Sequence, residues 1–161
     1  MKKIIYVILL INIILISGCS QRMDSYILTR DIEQKNVNTF DTVTINYKDE
    51  LVTKQVFEEE YVLESGDSKV LQGYKDNIEH VYSQDMFNVD GFEFSTELKE
   101  RSFKVITTID YKRIKIDKLS NEAKRFFFVE RIVDENGEMP INELVDYYVE
   151  ENGFAIDIID S

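Results

Sequence analysis

The strongest constraint on the fold is an alternation of apolar and polar side chains in two separate parts of the chain. Residues 42–47 and 92–98 place an apolar side chain or a Thr at every second position, and residues 103–111 do so with one exception, Ile106. A period of two indicates a strand with one buried face. Residues 51–63 are rich in Val, Thr, Phe and Tyr and return from the first strand after a short polar turn, which predicts a hairpin. Two such hairpins predict an antiparallel sheet with one face buried and the other exposed to solvent.

Three further segments have the spacing and the end signals of helices. They run from Asp67 or Ser68 to about Tyr82, from Ser120 to about Val133, and from Pro140 to Asn152-Gly153. The first predicts an inward stripe of Val70, Leu71, Tyr74, Ile78, Val81 and Tyr82. A short final strand follows from Phe154. The sequence therefore predicts an α+β fold: an antiparallel β-sheet of about four or five strands, with two or three helices packed mainly on one face.

The N-terminal residues have the features of a secretory signal peptide. Lys2 and Lys3 precede the uncharged run Ile4–Ile16, whose 13 residues are fewer than the roughly 17–25 that span a bilayer. The run matches the core of a secretory signal, which is about 7–15 residues long. The following Ile16-Ser17-Gly18-Cys19 resembles the lipobox of bacterial lipoproteins. We therefore expect cleavage between Gly18 and Cys19 and a diacylglyceryl group on the Cys19 sulfur; the alternative is an uncleaved signal anchor with an incidental thiol.

This assignment divides the chain into three parts. Residues 1–18 are the predicted lipoprotein signal peptide, residues 19–38 a flexible tether with at most one helical turn, and residues 39–161 a single α+β domain. The net charge of −12 makes binding to nucleic acid or to anionic lipid headgroups unfavourable. We therefore expect no nucleic-acid partner, and a membrane attachment that is covalent. Two acyl chains suffice for stable anchoring.

Several motifs together resemble those of the YehR-like lipoproteins, a family catalogued as a domain of unknown function. They are the hairpin Asn46–Gln55 with Tyr47-Lys48 at its turn, the helical Leu71-Gln72-Gly73-Tyr74, the hairpin after Gly91, and the terminal Asn152-Gly153-Phe154. The resemblance covers roughly residues 40–159, together with the lipobox. It implies helices packed on an antiparallel sheet, and it brings no catalytic residues to carry over.

Residues of catalytic or metal-binding type are few or poorly spaced. His80, the single histidine, falls outside the apolar stripe of its helix, so we expect its side chain at the surface. We expect it to belong neither to a zinc site nor to a Ser-His-Asp triad, because the partner residues that either site requires are lacking. The order Asp134, Asn136, Gly137 and Glu143 suggests a calcium loop. Ile132, however, stands where the first ligand is required and Pro140 lies inside the loop, so an ordinary turn is the better interpretation. Glu58-Glu59-Glu60 is interpreted as a solvated face.

These patterns favour a binding role over catalysis, with no cofactor. We expect a membrane-anchored module at the extracytoplasmic face of the cell membrane that recognises an envelope protein, a peptide or a small ligand. Two alternatives stay open. One is an envelope hydrolase, which needs two inward carboxylates about 5–10 Å apart in a cleft. The other is a weak binder of divalent cations through the acidic surface.

Overall fold

The structure, a computed structural model, describes residues 24–133 and 138–160. Besides short 3-10 helices at Asp85–Phe87 and Ile116–Lys118 and a π-helix at Tyr147–Glu151, these residues form six strands and four α-helices. They are β1 (Asp24–Ile32), β2 (Val37–Lys48), β3 (Leu51–Leu63), α1 (Lys69–Tyr82), β4 (Phe92–Leu98), β5 (Ser102–Asp110), α2 (Asn121–Phe126), α3 (Val129–Ile132), α4 (Ile141–Asp146) and β6 (Ala155–Asp160). The predicted signal peptide, Cys19 and the turn at 134–137 lie outside the described residues.

The described strands form one antiparallel sheet in the order β4-β5-β3-β2-β1-β6. The two predicted hairpins are confirmed as β2-β3 and β4-β5, and they meet where β3 pairs with β5. The expected α+β class is therefore confirmed, with one or two strands more than predicted.

The prediction of a flexible tether over residues 19–38 is wrong for the part that the structure describes. β1 occupies residues 24–32, pairs with β2 along its whole length and also pairs with β6. Leu28 is fully buried at its centre. The pattern was missed because the inward positions include the charged Arg30, while Ile27 adds an apolar residue on the other side. Mixed faces of this kind weaken the period of two.

The helices cover one side of the sheet, which we call the inner face. Leu71 of α1 packs with Phe103 and Val105 at one end, and Leu144 of α4 packs with Leu28 and Val43 at the other. Between them, Phe127 at the end of α2 packs on Ile109 and Phe92. The expected packing of the helices on one face is confirmed. Among the described residues, no helix combines the length and apolar character needed to cross a bilayer.

Two helices differ from their predicted form. In α1 only Leu71 is buried, while Val70 and Tyr74 of the predicted stripe are exposed. Ser120 caps α2 as predicted, by accepting a hydrogen bond from the Ala123 amide at 3.2 Å. The helix then breaks at Phe128, which adopts a left-handed conformation (φ 61°), and α3 adds a single further turn. The break places the Phe127 ring in the core and the Phe128 ring against Tyr147 and Tyr148.

Candidate functional site

A cavity of about 350 Å³ lies between the inner face of the sheet and the helices. We call it the inner groove. Its floor comes from β1, β3 and β5, and its walls come from the ends of α1 and α2 and from the segment that follows α4. The residues that line it include Arg30, Gln55, Phe57, Glu59, Tyr82, Thr107, Ile109, Arg125, Phe126, Phe128, Tyr148, Asn152 and Phe154.

A row of charged side chains crosses the sheet under this groove. Antiparallel register places Arg30 of β1 opposite Asp41 of β2, and Asp41 opposite Glu59 of β3. Side chains directly opposite each other share a face, with Cβ atoms about 4.5–5.5 Å apart. Arg30 and Glu59 both line the groove, and Asp41 lies between them. The fold thus brings together three charged residues that are far apart in sequence.

Arg30 and Asp41 form the best-defined ion pair of the site. The Arg30 Nε and Nη2 atoms donate to Asp41 Oδ2 at 2.9 and 2.5 Å. The Asp41 side chain is 1% exposed and that of Arg30 28% exposed. Arg30 Nη1 also donates to the Asn152 carbonyl oxygen at 3.0 Å, and the guanidinium lies 4.5 Å above the Phe154 ring. Arg30 therefore connects β1 and β2 to the segment that leads into β6.

Glu59 is the groove carboxylate with the most perturbed environment. The side chain is half-buried, and the Tyr61 hydroxyl donates to Glu59 Oε1 at 3.1 Å. Burial, followed by the nearby charge of Asp41, raises the pKa of Glu59, against smaller opposing effects of Tyr61 and Arg30. The other oxygen of the neighbouring carboxylate, Asp41 Oδ1, is buried and has no hydrogen-bond partner within the described residues. Asp41 thus keeps one unsatisfied acceptor atom beneath the groove.

Neutral polar groups continue the floor toward α4. Gln55 Nε2 donates to the Tyr148 hydroxyl at 2.6 Å, and the Tyr111 hydroxyl donates to Gln55 Oε1 at 3.3 Å. Burial raises the pKa of both tyrosines well above the ordinary value, so both hydroxyls stay protonated at neutral pH. Gln55 itself is buried. These hydrogen bonds fix the tyrosine rings and hence the shape of that wall.

Aromatic rings form the opposite wall. Tyr82 at the end of α1 contacts Phe92, Phe94 and Phe126, with ring centroids 5.2–6.0 Å apart. Burial raises the pKa of Tyr82 to about 12. The rings come from three elements, so the wall depends on the packing of α1 and α2 on the β4-β5 hairpin. Aromatic side chains packed in this way contribute area and rigidity together.

The structure separates most residues that the sequence marked as candidates from this groove. His80 is exposed on α1, as predicted, and Glu143 is exposed on α4. Asp134 and Asn136 of the considered calcium loop, like Cys19, fall outside the residues described. Among those described, no three His, Cys, Asp or Glu residues converge as metal ligands would.

The interpretation of Glu58-Glu59-Glu60 as a solvated face is wrong for its middle residue. Glu58 pairs with Lys104 at 2.5 Å on the outer face, whereas Glu59 points into the groove. The alternation of β3 held the missed signal: Glu59 shares its face with Phe57 and Tyr61. Because a charged residue at an inward position interrupts the apolar pattern, it was assigned to solvent.

A second cavity, of about 450 Å³, lies at the other end of the helical layer. Lys48, Tyr111, Lys112 and Met139 contribute to its lining. Its lining also includes Val133 and Glu138, the two described residues on either side of the undescribed segment 134–137. The inner groove is therefore the better-defined candidate site.

Comparison with solved structures identifies the architecture. The NMR structure of the Escherichia coli YehR protein superimposes with a TM-score of 0.61 at 15% identity, covering 86% of this chain and 93% of that one. The fold is that of YehR. An NMR structure of a protein from Streptococcus pneumoniae TIGR4 also resembles this chain, with a TM-score of 0.53 at 15% identity, covering 88% of this chain and 89% of that one.

Sequence comparison adds nothing to this structural likeness. No protein-family profile and no curated protein sequence matches the chain. The YehR-like fold expected from the Tyr47-Lys48 hairpin and the helix that follows it is therefore supported at the level of architecture. A fold does not by itself specify a function, which has to be argued from the site.

Proposed function

We propose that this chain is a lipid-anchored extracytoplasmic binding module whose inner groove takes a small ligand. The observation that carries the proposal is the groove itself, a concave space of about 350 Å³ with aromatic walls and a few convergent polar groups. Small-molecule sites typically have this composition and begin at about 300 Å³. The anchor follows from the signal-like N-terminus and Cys19.

The anchor has a direct test. Cys19→Ala should abolish incorporation of a radiolabelled or clickable palmitate analogue and release the protein from the membrane fraction. Ser20→Ala, one position away, is the matched control and should leave both unchanged. Acyl labelling that persists in Cys19→Ala would contradict the assignment of the lipidated residue.

Ligand binding is tested on the soluble domain, residues 20–161, produced without the signal. A fragment screen by ligand-observed NMR should give hits that broaden or shift resonances of groove residues such as Phe57 and Tyr148. Hits confined to the outer face, or none at all, would contradict the groove as a binding site.

One observation favours the hydrolase alternative. Asp41 and Glu59 are neighbouring carboxylates on the inner face, and their environments differ. The two carboxyl groups of a hydrolase, one of them the general acid, also lie in different environments. Binding still explains the site better. Asp41 is 1% exposed and two Arg30 nitrogens donate to its Oδ2 atom, so it has no open approach to a substrate. Incubation with nitrophenyl glycosides should release no nitrophenol; release that disappears in Glu59→Gln would reverse this conclusion.

The third candidate, a weak divalent-cation binder, is supported by the net charge alone. Calorimetric titration with calcium should give no heat beyond dilution.

A further inference from the structure

The strand β4 lies at one edge of the sheet and, within the described residues, pairs only with β5. Two hydrogen bonds at the ends of this hairpin fix which backbone groups of β4 face β5. The Lys99 amide donates to the Ser102 carbonyl oxygen at 2.7 Å, and the Asp110 amide donates to the Gly91 carbonyl oxygen at 2.7 Å. Hydrogen-bonded and non-hydrogen-bonded pairs alternate along antiparallel strands, so the odd-numbered residues of β4 bond to β5. The backbone groups of the even-numbered residues therefore point to the open edge: Phe94, Thr96 and Leu98.

This edge lacks the features that usually protect an edge strand, among them a bulge, a Pro, a Lys or an inward charge. β4 contains no Pro and no Lys, and its seven residues pair with β5 in unbroken register. Its inward side chains are uncharged, and those of Phe94 and Leu98 are 36% and 38% exposed. Exposed apolar side chains therefore lie beside backbone groups that have no partner among the described residues. A further strand would cover both.

The outward side chains of β4 indicate the charge of such a strand. Glu93 and Glu97 are both exposed. The cations near them are already paired with carboxylates: Arg113 with Glu93 and Asp90, Lys99 with Glu97, and Lys104 with Glu58. The pairs that involve Glu93 and Glu97 join side chains that are 52–72% exposed, and such pairs contribute little and exchange partners readily. Together with the net charge of −12, this favours a segment with basic rather than acidic side chains.

A second copy of the chain is a poorer occupant than a segment of another protein. Antiparallel pairing of two β4 strands would invert one copy relative to the other. If Cys19 carries the lipid, only five peptide steps connect it to Asp24, the first described residue of the sheet. The anchored end of the inverted copy would then point away from the bilayer that holds the first copy. An extended segment of another protein has no such restriction.

We propose that the open edge of β4 binds an extended segment of another protein, which adds to the sheet as a further antiparallel strand. Its backbone pairs with that of Phe94, Thr96 and Leu98, its apolar side chains cover Phe94 and Leu98, and its basic side chains lie beside Glu93 and Glu97. These five residues do not line the inner groove, so the inference is independent of the small ligand proposed there.

The test uses the ¹⁵N-labelled soluble domain, residues 20–161, and two seven-residue peptides with blocked ends. One peptide alternates Lys and Val with Lys at both ends, and the other has Glu in place of every Lys. In the free domain, the even-numbered amides of β4 should exchange hydrogen faster than the odd-numbered amides, which bond to β5. A saturating amount of the basic peptide should slow the even-numbered amides at least about tenfold. The basic peptide should also bind at least about threefold more tightly than the acidic one.

Two variants at one position separate backbone pairing from side-chain effects. Thr96→Pro and Thr96→Val both lose the hydroxyl that donates to Glu79 Oε1 at 2.6 Å. Only Thr96→Pro also removes the outward amide, and an edge strand tolerates Pro where its amide faces solvent. Thr96→Val should bind the basic peptide as the wild type does, and Thr96→Pro at least about tenfold more weakly. Thermal unfolding checks that both variants are folded.

A second pair of variants tests the charge without changing the backbone. Glu97→Gln should weaken the basic peptide about threefold, the size of one exposed charge pair. Glu143→Gln makes the same change at an exposed position of α4 and should leave the affinity unchanged.

Each outcome supports or overturns the inference. Equal affinity of Thr96→Pro and Thr96→Val, or no slowing of the even-numbered amides at about 1 mM basic peptide, overturns strand addition. Equal affinity for the two peptides, or equal effects of Glu97→Gln and Glu143→Gln, overturns the charge of the segment. If the free domain already protects these amides and sediments as a dimer, the occupant is a second copy and the inference is wrong. None of these results bears on ligand binding in the inner groove.

Discussion

Arg30→Met tests the physical role of the charged row under the groove. Methionine keeps most of the aliphatic stem but removes the charge that faces Asp41, a side chain only 1% exposed. Breaking a buried ion pair by removing one partner typically costs about 3–5 kcal/mol, because the remaining charge is left uncompensated. Arg30 retains 28% exposure, which lets water screen part of the loss, so we expect about 3 kcal/mol.

The assay is urea unfolding followed by far-ultraviolet circular dichroism, since the chain has no Trp. A lower midpoint at unchanged m-value should report the loss. The double variant Arg30→Met/Asp41→Leu removes both charges and should recover most of the stability, because a buried pair replaced by apolar residues is often neutral. Arg113→Met, which breaks the exposed pair with Asp90, is the control and should not move the midpoint.

Two results would refute this reasoning. One is an Arg30→Met domain as stable as the wild type, which would mean that Asp41 is neutralised by other means. The other is a double variant that recovers none of the lost stability, which would mean that the loss comes from the Arg30 contacts to Asn152 and Phe154, absent from both variants, and not from an uncompensated charge on Asp41.

Two further predictions concern stability. Because the folded-state pKa of Glu59 is raised above its ordinary 4.5, the folded protein binds more protons there than the unfolded chain does, and this site loses stability as the pH rises above that value. Glu59→Gln should therefore be more stable than the wild type at pH 7.5 and equal to it at pH 4; urea midpoints that differ equally at both pH values would contradict the assignment. Gly91 has φ +98°, and a Cβ there would lie 2.7 Å from the Asp110 carbonyl oxygen, so Gly91→Ala should cost about 1–3 kcal/mol. Gly73→Ala, in open space on α1, should instead gain about 0.5–1 kcal/mol; if thermal unfolding shows the two changes to be alike, the conformational argument fails.

Local patterns were sufficient to predict much of the fold. β3 has the predicted bounds of Leu51–Leu63, and α1 ends at the predicted Tyr82. The Ser120 cap and the left-handed Gly153 that ends the last helical segment also follow from residue type and position. These features depend on neighbours in sequence, and for that reason they can be read from the sequence alone.

The site depends on register, which the sequence does not display. Arg30, Asp41 and Glu59 meet because three strands align, and each looks like a surface charge within its own segment. β1 was missed for the same reason, since it contributes an inward charge to the row. The Phe128 break also depends on tertiary packing: the left-handed turn lets consecutive rings enter two different clusters.

The position of β1 also determines how far the body of the protein can move from a membrane. If Cys19 carries the lipid, five peptide steps separate it from Asp24, the first residue of the sheet within the described part of the chain. At roughly 3.3–3.6 Å a step, the fully extended distance is less than about 20 Å. The end of the sheet at which Asp24 and the Lys48-Asp49 turn lie would then face the lipid. The protein would be restricted to a narrow range of orientations close above the bilayer.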